Sequence, residues 1–416
     1  MIDFNTFELS NGLRVIVHED HSRPTVVLNI IYDVGSRDEH PEKTGFAHLF
    51  EHLMFGGSAN IPSFDEPLQR VGGENNAFTS PDVTNYYTLV PAANIETAFW
   101  LESDRMLALS FDQKVLDVQK NVVIEEFKQR YLNQPYGDAW LKLRPMVYTK
   151  HPYAWPTIGK ELVHIEAVVM DQVKEFFYSH YLPNNAVLVL GGDITLDKAK
   201  ELSEKWFGPI PAGKKLLRNL PKEPAQQQAR RDETTGDVPM DAFYRAYHMC
   251  GRWEKDFFAT DLLSDILGRG KSSRLYDQLV NTDKIFHTLH SYVTSSFDPG
   301  LIVIDGKLSE GISVEEGERR VDEVIQDLLS QGITDEELDK VKNQAESTLL
   351  FSESELLNRV MNLAFAALEG DPDLANGELE RLRSVTKEQV MAMAKQVLRI
   401  ENSSTLIYRS SQKEVK

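Results

Sequence analysis

His48-Leu49-Phe50-Glu51-His52 sets two histidines four residues apart with a glutamate between them. Apolar residues at 46, 49, 50 and 53 predict a helix across this run. At about 100° per residue the two imidazoles fall about 40° apart on one face, one turn above the other. Imidazoles stacked in this way can hold one Zn²⁺. Glu51 falls about 80° to one side of their bisector, near enough to reach a water at the metal without ligating it. The order inverts the H-E-x-x-H signature of zinc peptidases. The bland alternative is two core histidines hydrogen-bonded to neighbours. Against it, three ionisable groups in an otherwise apolar run would cost several kcal/mol if left unpaired, a cost that a metal offsets.

A catalytic zinc takes three protein ligands and one water, so a third ligand is needed. The run 115–132 predicts a long helix with two adjacent acids, Glu125 and Glu126. Measured from Val115 at about 100° per residue, Leu116, Val122, Val123, Phe127 and Tyr131 gather on one side. Glu126 falls at about 20°, inside that stripe, and Glu125 at about 280°, towards its outer edge. A carboxylate that points into a core needs a partner, which makes Glu126 the better ligand. Gln119, seven residues earlier on the same stripe, is a hydrogen-bonding group for the ligands.

The elements that must position these groups are legible too. Strands are expected over 13–17, 25–34, 85–90 and 186–190, and helices over 44–57, 95–109 and 115–132. From 211 to 237 the composition turns polar, with Lys214, Lys215, Arg218, Pro221, Pro224, Gln226-Gln227-Gln228 and Arg230-Arg231-Asp232-Glu233, which reads as an exposed linker. The halves on either side resemble each other. Val168-x-x-x-Gln172-Val173 recurs as Val385-x-x-x-Gln389-Val390, and Asn185 with its following strand recurs as Asn402 with its own. The expected fold is therefore α+β, with two similar domains at 1–212 and 238–416 joined by a linker at 213–237. The second copy carries Asp261, Ser264 and Asp265 where the first has His48, Glu51 and His52, so the metal chemistry belongs to the first half alone.

Composition narrows the function. The chain has 416 residues and a formal net charge of −19, which disfavours nucleic-acid binding and hints at basic peptides. Cys250 is the single cysteine, so an internal disulfide and a cysteine-based zinc site are excluded. No apolar stretch approaches the ~18–20 residues of a membrane span. Met1-Ile2-Asp3-Phe4-Asn5 lacks the basic and apolar segments of a signal peptide. A cytoplasmic protein is the expectation, or a periplasmic one if a leader has been removed.

An H-x-x-E-H helix with Glu126 74 positions further on, in Val122-Val123-Ile124-Glu125-Glu126, resembles the pitrilysin/insulinase superfamily of inverted-zincin metallopeptidases. The half-size members, mitochondrial processing peptidase and its bacterial relatives, are most similar. The likeness runs along nearly the whole chain: Phe7-Glu8-Leu9-Ser10-Asn11-Gly12-Leu13, Gly72-Gly73-Glu74-Asn75-Asn76-Ala77-Phe78-Thr79, His151-Pro152-Tyr153, and Tyr181-x-Pro183-Asn184-Asn185. The resemblance implies two α+β domains of like topology per chain, and paired chains closing around a chamber. It implies His48, His52 and Glu126 as zinc ligands, Glu51 as general base, and the strand Asn76-Ala77-Phe78 as the edge that takes substrate as an added strand.

Two departures qualify the match. Gln119 stands where relatives often carry glutamate. The Arg and the Tyr seven residues on, which stabilise the oxyanion in fully functional chains, are here Val280 and His287. Valine cannot donate a hydrogen bond, and His287 is at best a weak oxyanion donor. The expectation is a zinc endopeptidase acting on peptides or unfolded segments, paired with a homologous subunit that brings the Arg/Tyr pair, or as a homodimer. The alternative is a catalytically weak binding or assembly subunit that keeps the zinc site. Gly268-Arg269-Gly270-Lys271-Ser272 lacks the first glycine of a phosphate loop and is set aside. His287 and His290, three apart in a strand, are expected on opposite faces.

Overall fold

The computed structural model describes residues 1–214 and 217–411, so Lys215 lies outside the described residues. The strands are β1 (Asn5–Glu8), β2 (Arg14–Glu19), β3 (Thr25–Tyr32), β4 (Glu74–Thr79), β5 (Thr84–Pro91), β6 (Ala186–Gly192), β7 (Arg230–Gly236), β8 (Ala242–His248), β9 (Phe286–Val293), β10 (Leu301–Leu308) and β11 (Ser403–Ser410). They form a six-stranded sheet ordered β1-β2-β6-β3-β5-β4 and a five-stranded sheet ordered β7-β11-β8-β10-β9.

The two sheets repeat one plan. β2 runs parallel to β6, and β6, β3, β5 and β4 then pair antiparallel. In the same way β7 runs parallel to β11, and β11, β8, β10 and β9 pair antiparallel. The asparagines that suggested a repeat do the same work in each copy. Asn185 Nδ2 donates to the carbonyls of His180 (2.9 Å) and Asp33 (3.2 Å), and Asn402 Nδ2 to those of Val397 (2.8 Å) and His248 (2.9 Å). Each thereby ties the end of a helix to the neighbouring strand just before the central strand begins. Gln172 and Gln389 likewise accept the N-cap amides of Val169 (3.3 Å) and Thr386 (2.7 Å) at the starts of helices Met170–His180 and Lys387–Val397, and in the second the Thr386 hydroxyl completes a capping box.

In the first unit β3 and β6 are apolar and almost wholly buried, as strands covered on both faces must be. Helices Ile95–Leu107 and Leu196–Trp206 pack on β5 and β2, and Leu356–Leu368 packs on β6 and β3. Gly191 allows the last approach, since a Cβ there would stand 2.3 Å from Val360 Cγ2. In the second unit helix Phe257–Gly268 covers β9, Val314–Gln331 packs on β8, and Ala139–Val147 packs on β11 and β8.

The boundaries differ from a single cut at 213–237. One unit comprises Met1–Phe127, Trp155–Pro221 and Leu350–Glu378, the other Lys128–Ala154, Lys222–Leu349 and Leu379–Lys416. Each sheet therefore takes one covering helix from the far half of the chain. The expected linker is also not free chain. Arg218 pairs with Asp38 (2.7 Å) and Asp33 (2.9 Å), and the Glu223 carboxylate accepts the amides of Thr149, Lys150 and His151. Gln226 is buried and donates to the carbonyl of Ser403. Arg230–Gly236 is β7, an edge strand whose charged, exposed residues hid it in the sequence and suit an unpaired edge.

Candidate metal centre and its surroundings

Helix Phe46–Leu53 begins at Gly45, whose φ of 90° a side chain would disfavour. Phe46, Ala47, Leu49, Phe50 and Leu53 are buried, so packing fixes the helix face. His48 and His52 then project together, with ring centroids 4.9 Å apart and planes at 81°. Glu126 comes from helix Gln113–Phe127, which packs against the first helix. Its Oε2 stands 3.6 Å from His48 Nε2 and 3.6 Å from His52 Nε2. The side chains of His48, His52 and Glu126 are 12%, 23% and 19% exposed, so solvent reaches the cluster without flooding it.

The donor set fits a zinc ion. Ligand atoms about 2.1 Å from a tetrahedral centre stand about 3.4 Å from one another. The three candidate atoms here all lie within 4.8 Å of one another, and this is the only such cluster of three or more His, Cys, Asp or Glu among the described residues. Glu125 is exposed. The helix carrying it is turned somewhat from the expected orientation: Leu116, Val123, Ile124 and Phe127 are buried, but Val122 is 44% exposed. The buried stripe thus centres on Leu116, Val123 and Phe127, and Glu126 sits at its margin, where a carboxylate can face a site rather than a core. The helix ends at Phe127, and Lys128–Leu132, expected as its continuation, forms a π turn directly after the ligand.

Glu51 is half-buried on the same helix turn, and its Oε2 accepts the Thr79 hydroxyl at 2.6 Å. Neither Thr79 nor Glu39 was singled out by the sequence. Glu39 lies in the loop before the helix and accepts the amides of Gly45 (2.9 Å) and Ala47 (2.8 Å). Isolated polar residues in a loop and at a strand end carry no periodic signal, so only the fold reveals them.

Asn76, Ala77 and Phe78 lie in β4, at one edge of the six-stranded sheet; among the described residues no strand pairs its outer side. Asn76 is exposed and Ala77 part-buried, while Phe78 stacks on Phe365 at 6.1 Å and 11°. Gln119 is half-buried two turns before Glu126 and, among the described residues, hydrogen-bonds to none of the three candidate ligands. Val280, in the π turn Asp277–Thr282, packs against the core of the second unit. His287 sits in β9 at an irregularity where Leu308 pairs with Phe286 and Lys307 with Thr288. That extra residue breaks the strand's alternation. Phe286 and Leu289 are both buried and His287 and His290 both exposed, contrary to the opposite faces expected of a regular strand.

The chain resembles known peptidases in sequence and in fold. Residues 14–147 match the family model described as insulinase (peptidase family M16), and residues 167–345 match the peptidase M16 inactive domain. The zinc protease PqqE of Helicobacter pylori is 31% identical over 340 residues, covering 80% of this chain and 76% of that one. YmxG of Bacillus subtilis, described as an uncharacterised zinc protease, is 26% identical over 411 residues, covering 96% and 97%. Among solved structures, a protease from Helicobacter pylori superposes with a TM-score of 0.93 at 26% identity, over 98% of this chain and 100% of that one. A peptidase M16 inactive domain from Pseudomonas fluorescens gives 0.89 at 21% identity over 99% and 98%. The chain belongs to the insulinase/pitrilysin family of peptidases, family M16.

Proposed function

We propose that this chain is a zinc-dependent endopeptidase that cuts peptides or unfolded segments. The observation that carries the reading is the convergence of His48, His52 and Glu126, with Glu51 on the same helix turn. A bound Zn²⁺ supplies a Lewis acid that polarises a carbonyl and makes water a nucleophile near neutral pH. Glu51 takes the proton of the attacking water and returns it to the leaving amine. The open edge of β4 takes the substrate backbone as an additional strand, a mode that tolerates many side chains. The relatives named zinc proteases support both metal and reaction class.

The chain works with a second, homologous subunit around a shared chamber. Val280 offers no donor to an oxyanion, and a partner bearing the Arg/Tyr pair would supply one. The same Val280 favours a second reading, a weakly catalytic binding or assembly subunit that keeps the metal. The test is cleavage of a quenched peptide by the purified chain, alone and with such a partner. Chelator-sensitive cleavage that rises with the partner supports the proposal. Full activity alone ends the partner requirement, and no cleavage under either condition favours the second reading.

A further inference from the structure

We propose that Thr79 is a positioning residue for Glu51, holding its carboxylate in the orientation from which it acts as a base. The inference rests on the reading of Glu51 given above. Thr79 ends β4, and its hydroxyl donates to Glu51 Oε2 at 2.6 Å, the length of a charge-assisted O–H···O⁻ bond. One carboxylate oxygen is thereby fixed.

The donor is itself held firmly. In the turn that follows, the Ser80 amide donates to the Val83 carbonyl (2.8 Å), and Ser80 Oγ accepts the amides of Asp82 (3.1 Å) and Val83 (3.0 Å). Buried Asp82 pairs with buried Arg37 at 2.9 Å. Thr79 therefore stands at the rigid end of the strand proposed to receive substrate, and it couples that strand to the base.

The second sheet supplies an internal comparison. Across the first sheet Ala186 pairs with Tyr32, Tyr32 with Thr84, and Thr84 with Thr79. Across the second, starting from the residue after the matching asparagine, Ser403 pairs with Tyr247, Tyr247 with Ile302, and Ile302 with Val293. Thr79 thus corresponds to Val293, and Glu51 to Ser264. Where the carboxylate is gone the hydroxyl is gone too, while the β-branched shape remains. Strand geometry and packing require only that shape. The hydroxyl is left with one use, its bond to Glu51.

The experiment compares Thr79→Val and Thr79→Ser in the full chain, with the partner if cleavage needs one. It measures kcat, KM and zinc content, and solves a crystal structure of each variant. Thr79→Val should lower kcat about ten- to hundredfold, with KM and zinc content unchanged and the Glu51 carboxylate displaced from residue 79. Thr79→Ser should restore most of kcat and return the carboxylate to its place. The opposite order, valine active and serine impaired, makes Thr79 purely structural and overturns the proposal. If the wild type shows no chelator-sensitive cleavage, the reading of Glu51 fails by itself. The position of Glu51 in the variant crystals then still decides the coupling, and an unmoved carboxylate in Thr79→Val refutes it.

Discussion

The Glu39 carboxylate accepts the backbone N–H of Ala47 at 2.8 Å, one residue before His48. With the Gly45 amide and the Trp155 indole (3.1 Å) as further donors, a buried acid caps the helix that carries the candidate ligands. Burial outweighs these donors and pushes the carboxyl from 4.5 up to about 8. Between those values the native chain keeps a proton that the unfolded chain has lost. The group's contribution to stability is therefore full below about pH 4.5 and is lost as pH rises through about 8. The urea midpoint of the wild type should fall between pH 5.5 and 8.0, and that fall should be smaller in Glu39→Gln. Parallel pH dependence in the two proteins would contradict this.

Asn402 is buried and donates to two carbonyls in the second unit. Asn402→Ala leaves both acceptors without their donor and should lower stability by about 2–3 kcal/mol. Zinc content of the folded variant should stay at the wild-type level. Chemical denaturation followed by metal analysis of the native fraction checks both parts.

Addition of substrate to β4 makes a claim about backbone rather than side chains. Peptides N-methylated at alternate amides lose every donor on one side of the strand and keep those on the other. Methylation in one alternation should raise KM about tenfold or more, and in the other alternation much less, because only one set faces the pairing edge. Equal effects from both would argue against strand addition.

Much of this arrangement was legible in the sequence because its signals are periodic. Histidines four apart on an apolar helix can only share a face, and the choice of Glu126 over Glu125 followed from one helical stripe. β6 is an apolar run, and β3 is one interrupted only by Asn29. The parts that escaped lack a period. β7 is polar because it is an edge, and the helix Ala139–Val147 gives no sign that it serves the second sheet. Thr79 matters through one hydrogen bond across 28 residues, and Glu39 through bonds from Gly45, Ala47 and the distant Trp155. Val280 was conspicuous as a missing arginine, and the position instead packs against the core of the second unit.

Glu51 is assigned to proton transfer and not to metal binding, and the two roles separate in one variant. Glu51→Gln should keep its zinc and lower kcat about 10²- to 10⁴-fold. Loss of zinc in that variant would mean that Glu51 helps to hold the metal.

We infer that His48, His52 and Glu126 hold one ion between them. Metal analysis of the purified chain against Glu126→Ala tests it most directly. About one zinc per wild-type chain is expected, with a large loss in the variant and the fold retained. A wild type that binds no zinc, or a variant that binds it equally well, would contradict it.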